Sequence, residues 1–167
     1  AKPAYKMVNF SRMKISIKTI LFITIIVFFV LADRFLKILS LRGLLDHPVP
    51  LLGNIFALHY VKNFYIAFSL PFSGPILTAV IGLIILILLI YWLNFFIPNT
   101  KHQTLITNLV PLTFLIIGAI LNFTDRVKYG FVIDYFDLKY FTVFNLADIM
   151  IVVSVIYLVF ILRRRTK

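Results

Sequence analysis

The sequence of 167 residues has no cysteine, and its six acidic residues are all aspartate. The absence of cysteine excludes disulfide bonds, thiol catalysis and thiolate metal sites, and it suits a protein that faces the outside of a cell. Charge is scarce as well, because only 14% of the residues are charged whereas 62% are hydrophobic, and the mean hydropathy is +1.03. This composition lies far from that of soluble domains and indicates a protein that crosses a membrane several times.

Long uncharged stretches predict the membrane spans. No charged residue occurs between Lys62 and Lys101, and residues 103–124 form a second uncharged stretch. Each is long enough for the ~20 residues that cross a bilayer. Two more apolar runs carry charges only near one end. The sequence therefore predicts an all-α membrane protein with four transmembrane helices, roughly at 19–39, 75–97, 103–123 and 145–162.

The basic residues predict the orientation in the membrane. Four spans place both termini on the same side, and the positive-inside rule assigns the basic termini to the cytoplasm. On this topology the inner side carries ten basic residues and no acid, so all six aspartates lie at or beyond the outer ends of the helices. We expect any chemistry on the outer face. The net charge of +11 is mainly a topology signal with some attraction to anionic lipid, and it needs no nucleic-acid partner.

The chain divides into three predicted parts. Residues 1–18 form a basic cytoplasmic N-terminus, of which 1–6 can be a cloning remnant and receive no function. Residues 19–162 form a single four-helix membrane domain, and 163–167 form a basic cytoplasmic tail. We interpret the first apolar run as a true span and not as a cleaved signal, because no small-residue cleavage site follows it.

Two outer segments are predicted to be extended. Residues 40–73 are rich in β-branched and aromatic residues and are punctuated by proline and glycine, which predicts a small extracytoplasmic β-rich segment between the first two helices. In the second outer segment, Gly130 is followed by FVIDYF, which also indicates extended chain.

Asp148 has a structural interpretation of its own. Asn145 is a favoured N-cap, and an acid three residues later can complete a capping box and meet the positive end of the helix dipole. Taken alone, the cap is the favoured reading. It does not explain Asp134, which lies within the apolar FVIDYF and has a water-facing strand position as its ordinary interpretation.

The other acids have ordinary interpretations too. Asp125 lies at a predicted helix C-terminus, where the dipole disfavours a carboxylate, and a weak surface pair with Arg126 or Lys128 is the simple explanation. Asp33 and Lys37 are spaced i, i+4 on the first helix, which predicts a structural pair. The three histidines are scattered, so we predict no metal site and no cofactor.

Five blocks, taken together, resemble the motifs of a known family. They are DRFLK (33–37), NFYIAFSL (63–70), NFTDR (122–126), GFVID (130–134) and FNLAD (144–148). In this order they are similar to the motif blocks of bacterial lipoprotein signal peptidase, signal peptidase II, over about residues 33–148. The resemblance implies a membrane-embedded aspartic endopeptidase of the bacterial cytoplasmic membrane, which removes the signal peptide of a prolipoprotein before its diacylglyceryl-modified cysteine.

The resemblance also implies roles for particular residues. The catalytic pair of the family falls on Asp134 and Asp148. The polar residues that line the site or hold the substrate fall on Asn63, Asn122, Arg126 and Asn145. Asp33 and Lys37 match the first-helix pair and are predicted to be structural, as is Asp125. The sequence departs from the family pattern at Tyr65 and Leu121, where glycine is usual.

Two close carboxylates cannot both ionise cheaply, which suggests a mechanism. We expect one of them to keep its proton and stabilise the oxyanion while the other activates water. Asp148, at a helix N-terminus, is expected to be the more acidic, and Asp134 the proton holder. The partners expected are prolipoprotein signal peptides and membrane lipid, and the protein is expected to be a monomer.

Two other functions fit parts of the pattern. A small transporter or channel can use aspartates to carry ions, although such proteins usually place charges near the bilayer midplane. A non-catalytic scaffold can bind lipidated proteins through the same polar residues. Only the peptidase predicts a cleavage product.

Overall fold

The computed structural model describes residues 17–65, 73–96 and 109–165, and in this part of the chain it contains four helices and four strands. In chain order they are α1 (Ile17–Leu41), β1 (Val49–Leu52), β2 (Phe56–Asn63), α2 (Pro75–Phe96), α3 (Val110–Tyr129), β3 (Val132–Leu138), β4 (Val143–Phe144) and α4 (Leu146–Arg165).

Three of these helices are long and apolar enough to cross a membrane. They are Ile17–Leu41, Pro75–Asn94 within α2, and Val110–Tyr129. The apolar part of α4, Leu146–Ile161, is shorter. The predicted helical membrane fold is therefore confirmed with three candidate spans, and the fourth span stays a prediction.

The third helix ends later than the sequence predicted. It was expected to stop at residue 123 but continues to Tyr129, while residues 103–108 of the expected span lie outside the described residues. Gly130 ends the helix with φ 81°, and its amide donates to the carbonyl of Arg126 at 2.9 Å. One more turn thus follows Asp125, so the expected position of this acid at the helix end was wrong.

The strands form one antiparallel sheet in the order β1-β2-β3-β4. Two strands come from the segment between α1 and α2, and the other two come from the segment between α3 and α4. The prediction of a β-rich segment between the first two helices was therefore incomplete, since β2 pairs with β3 from Asn63 opposite Val132 to Phe56 opposite Leu138. This pairing brings the two outer segments together.

Close packing of α3 against α4 depends on Gly118. A Cβ atom at this position would lie 2.7 Å from the carbonyl oxygen of Ala147 and 3.2 Å from Cβ of Met150. Only glycine allows this approach without a shift of backbone. Leu121, Ala147 and Met150 form a small apolar core beside the contact, against which Phe29 of α1 also packs. The first turn of α4 is thereby held close to α3.

Candidate active site

Asp134 and Asp148 meet at a common neighbour, Asn145. Asp134 lies on β3 and Asp148 in the first turn of α4. The side-chain Nδ2 of Asn145 donates to Oδ1 of Asp134 at 2.6 Å, and its backbone N–H donates to Oδ2 of Asp148 at 3.1 Å. One residue therefore contacts both carboxylates.

The predicted capping box is confirmed at the start of α4. Asn145 Oδ1 accepts a hydrogen bond from the backbone N–H of Asp148 at 2.9 Å, and Asp148 Oδ2 accepts one from the backbone N–H of Asn145. Each residue thus satisfies a backbone donor of the other. The orientation of the Asp148 side chain is consequently fixed by the geometry of the helix end.

Two further asparagines complete the shell around the two acids. Asn63, at the end of β2, donates from Nδ2 to Oδ2 of Asp134 at 2.8 Å. Asn122, on α3, donates from Nδ2 to Oδ1 of Asp148 at 2.7 Å. Each of the four carboxylate oxygens therefore accepts a hydrogen bond from a neutral amide. The structure thus brings together five of the residues that the sequence singled out.

The surroundings favour a proton on Asp134. Its side chain is almost fully buried, and burial together with the negative charge of Asp148 raises the pKa of Asp134 to about 7. The hydrogen bonds from Asn63 and Asn145 lower this pKa but do not outweigh burial. Asp148 remains partly exposed. Near neutral pH, Asp134 therefore exchanges a proton readily.

A second group of acids is compensated by cations. Lys37 Nζ lies 3.1 Å from Asp33 Oδ2 and 2.7 Å from Asp125 Oδ2, and Arg34 bridges the same two acids at 3.0 and 2.9 Å. We call these four residues the ionic cluster. The predicted Asp33–Lys37 pair is confirmed. The predicted surface pair of Asp125 was wrong, because this side chain is fully buried and pairs with α1.

One amide side chain, that of Asn122, connects the ionic cluster to the pair Asp134 and Asp148, which we call the dyad. Lys37 Nζ donates to Asn122 Oδ1 at 3.1 Å, and Asn145 Nδ2 lies 3.2 Å from the same oxygen. Since Asn122 also donates to Asp148, its amide is oriented by the cation on one side and by the carboxylate on the other. Lys37 therefore supports the shell of the dyad as well as the ionic cluster.

Tyr135 is a residue that the sequence analysis missed. It is fully buried, and its hydroxyl donates to Asp33 Oδ1 at 3.0 Å. The hydroxyl oxygen of Tyr135 also accepts a hydrogen bond from the backbone N–H of Leu146 at 2.9 Å. Burial raises the pKa of Tyr135 well above its usual range, so the phenol keeps its proton. In the sequence it was one aromatic among 27, and its position directly after Asp134 was the only local signal.

Arg126 holds backbone near the site. Its guanidinium donates to the carbonyl oxygens of Phe64 and Tyr65, which directly follow Asn63 at the end of β2. The structure therefore places this residue on the chain that carries Asn63 and not on either acid of the dyad. In the described part of the chain, no group of three or more His, Asp, Glu or Cys side chains is placed to hold a metal ion.

Comparison with known proteins gives a consistent result. Residues 25–163 match the family model described as signal peptidase (SPase) II. The chain is 33% identical over 141 residues to the lipoprotein signal peptidase of Clostridioides difficile (strain 630), covering 83% of this chain and 91% of that protein. It is 38% identical over 132 residues to that of Caldicellulosiruptor bescii, covering 78% and 82%.

The fold has a solved counterpart as well. A bacterial membrane enzyme determined by the in meso method at 2.3 Å resolution superimposes with a TM-score of 0.74 and 26% sequence identity, covering 88% of this chain and 90% of the other. The sequence match and the fold agree over most of the chain, and they show that it belongs to the signal peptidase (SPase) II family of bacterial membrane proteases.

Proposed function

We propose that this chain is an aspartic endopeptidase that cuts the signal peptide of a prolipoprotein directly before the diacylglyceryl-modified cysteine. Membership of the signal peptidase II family supports a protease that acts on prolipoproteins. The observation that carries the aspartic mechanism is the convergence of Asp134 and Asp148 on Asn145, with neutral amides on all four carboxylate oxygens. Because these donors are neutral, the two acids reduce the repulsion between their negative charges by sharing one proton.

The proposed reaction uses one acid in each protonation state. Ionised Asp148 takes a proton from a water molecule, whose oxygen then attacks the scissile carbonyl carbon. Protonated Asp134 donates to the carbonyl oxygen and stabilises the developing negative charge. The tetrahedral intermediate collapses as the C–N bond breaks, and the leaving amine of the cysteine takes up a proton from Asp148. No covalent enzyme intermediate is required.

The three asparagines are proposed to hold the dyad and line the substrate path. Asn63, Asn122 and Asn145 donate to the carboxylates, and an amide keeps its donor whatever the protonation state of its partner. Arg126 is proposed to present the chain after β2 to the substrate, since it binds two backbone carbonyl oxygens there. Partial exposure of Asp148 supports its access to water.

The orientation in the membrane is also a proposal. We infer four spans, with both termini in the cytoplasm and the dyad at the outer face of the bacterial cytoplasmic membrane. The basic ends of the chain support this orientation. The substrate signal helix then reaches the site sideways from the bilayer, and a monomer contains every residue of the dyad and its shell.

Cleavage of a defined substrate tests the proposal. Purified protein in detergent is incubated with a lipid-modified prolipoprotein, and the products are identified by mass spectrometry. Asp134→Asn and Asp148→Asn should each abolish cleavage while thermal unfolding remains cooperative. Asp46→Asn, a change at an exposed acid outside the site, is the matched control and should cleave normally.

The same experiment distinguishes the alternatives. Full activity in either dyad variant would refute the aspartic mechanism. Binding of several lipid-modified substrates without any product, by the unaltered protein, would favour a lipoprotein-binding scaffold. Ion flux in vesicles that depends on Asp134 or Asp148, without cleavage, would favour a transporter.

A further inference from the structure

Both hairpin turns of the sheet lie at its end farthest from the dyad. The turn between β1 and β2 covers residues 53–55, and the turn between β3 and β4 covers 139–142. The backbone N–H of Lys139 donates to the carbonyl of Ile55 at 3.1 Å, so the two turns are in contact. We call this end the sheet tip and define it by its large, exposed apolar side chains, which are Leu51, Leu52, Ile55, Tyr140 and Phe141.

The sheet tip exposes more apolar surface than a water-facing sheet end normally does. Tyr140 is 80% exposed, and Leu52 and Phe141 are each 67% exposed. All four residues of β1 are exposed, and no charged residue occurs in 49–58. A contiguous apolar surface on a sheet edge is a site of association and needs a cover.

The sheet tip follows α1, a helix long and apolar enough to cross the membrane, after a short connection. On α1 the lipid-facing side chains of Phe35, Ile38 and Leu41 are 59%, 47% and 41% exposed. Beyond the helix, Leu44 is 61% exposed and Val49, which begins β1, is 44% exposed, with the exposed polar residues Arg42, Asp46 and His47 between Leu41 and Val49. Only seven residues separate the end of α1 from β1, so the apolar sheet tip lies within reach of the lipid leaflet at that end of α1.

A cation in the turn between β3 and β4 suits a bilayer boundary. The ammonium group of Lys139 lies 5.8 Å from the ring centre of Tyr140. Tyrosine places its ring at the level of the lipid headgroups, and lysine extends its charge towards their phosphates. A protein partner would not require this arrangement, whereas a lipid leaflet accounts for both the apolar side chains and the flanking cation.

We propose that the sheet tip inserts into the lipid leaflet that surrounds the end of α1, and so anchors the sheet to the bilayer. The four residue steps from Asp134 to Leu138 span about 13 Å, so the anchor lies apart from the dyad. It holds β3 at a fixed depth, and with it Asp134. The inference rests on the membrane location of the chain and is independent of the chemistry proposed for the dyad.

The absence of cysteine makes a direct test possible. Leu52→Cys and Phe141→Cys are labelled with an environment-sensitive fluorophore and reconstituted into phosphatidylethanolamine and phosphatidylglycerol vesicles. Lipid carrying a nitroxide on its acyl chain should quench both labels, and aqueous iodide should quench them weakly. The reverse pattern, strong quenching by iodide and weak quenching by the nitroxide lipid, would overturn the proposal.

Two labelled positions serve as controls. Leu86→Cys, a lipid-facing position on α2, reports full quenching by the nitroxide lipid. Lys62→Cys, an exposed position at the other end of β2, should be quenched less than the sheet tip. Equal quenching at Lys62→Cys would mean that the whole sheet lies in the bilayer, and it would overturn the assignment of the tip as the anchor.

A polar variant tests whether the aromatic turn contributes to the anchor. Tyr140→Ser combined with Phe141→Ser should lower nitroxide quenching of a label at Leu52→Cys by about half or more, because the variant removes two of the inserted side chains. Unchanged quenching would overturn the role of this turn. Prolipoprotein cleavage in detergent should stay near that of the unaltered chain, so a failure of the anchor is distinguishable from a failure of the dyad.

Discussion

The protein holds two pairs of aspartates close to each other and treats their charges differently. In the ionic cluster, Asp33 and Asp125 face the cations Arg34 and Lys37 at 2.7 to 3.1 Å. In the dyad, the hydrogen bonds that Asp134 and Asp148 accept within the described part of the chain come from amides at 2.6 to 3.1 Å. Every carboxylate oxygen in both pairs has at least one hydrogen-bond donor, so the difference between the pairs lies in the charge of the donors.

This difference separates structural from chemical carboxylates. Cations in equal number balance two negative charges, and such ion pairs tie helices together. Amides satisfy the oxygens without balancing the charge, so a proton has to do so. The dyad is therefore the pair that can take up and release a proton near neutral pH, as the pKa of about 7 for Asp134 indicates.

Removing a cation from the ionic cluster should have the largest effect on stability. Lys37→Met leaves Asp33 and Asp125 with Arg34 alone and deprives Asn122 of a donor. Breaking a buried ion pair costs about 3–5 kcal/mol, so we expect a large fall in the thermal midpoint measured in detergent. Lys62→Met, at an exposed lysine, should change it little. An unchanged midpoint in Lys37→Met would show that the two acid pairs do not differ in their need for cations.

The second largest effect should be on how the free energy of unfolding depends on pH, and it should come from the dyad. The pKa of Asp134 is raised in the folded protein, so the native state binds more protons between about pH 4 and 7, and stability falls as the pH rises through this window. In Asp134→Asn the fall between pH 5.5 and 8 should be smaller by on the order of 2 kcal/mol. Asp46→Asn should show the same fall in stability as the unaltered protein.

The unaltered protein should also lose cleavage activity above about pH 7 as Asp134 ionises. A flat profile in either assay would contradict the shared proton.

The smallest effect is expected from a change at Tyr135, whose hydroxyl links Asp33 of the ionic cluster to the first turn of α4. Tyr135→Phe removes the hydroxyl that joins Asp33 to the N–H of Leu146, at a cost of about 1 kcal/mol. Because this loosens the first turn of α4, we expect kcat to fall by about tenfold with little change in KM. Tyr140→Phe, at an exposed tyrosine, is the matched control. A rise in KM at constant kcat would assign Tyr135 to substrate binding instead of positioning.

Local spacing accounts for what could be predicted from the sequence. The capping box of Asn145 and Asp148 and the pair of Asp33 and Lys37 each span one helical turn, so both follow from helix geometry alone. The four stretches that were assigned to spans all contain described helices, because hydropathy is a property of a continuous segment. The resemblance of five motif blocks supplied the choice of Asp134 over the other outer acids.

Contacts between distant parts of the chain account for what was missed. Asp125 meets Arg34 from 91 positions away, and Tyr135 meets Asp33 from 102 positions away. Nothing near Asp125 in the sequence distinguishes a buried acid from a surface one. The pairing of β2 with β3 is equally non-local, so the two outer segments were predicted separately although they form one sheet.

Chain connectivity gives the dyad an advantage that the ionic cluster lacks. Asp134 and Asp148 are carried by one continuous stretch of 14 residue steps that runs through β3 and β4 into α4, whereas Arg34 and Asp125 close a loop of 91. By the logarithmic dependence of loop entropy on length, closing the longer loop costs roughly 1.7 kcal/mol more. If the chain were cut between β2 and α2, the C-terminal fragment would still carry both Asp134 and Asp148. Their meeting would then not depend on the concentration of the N-terminal fragment.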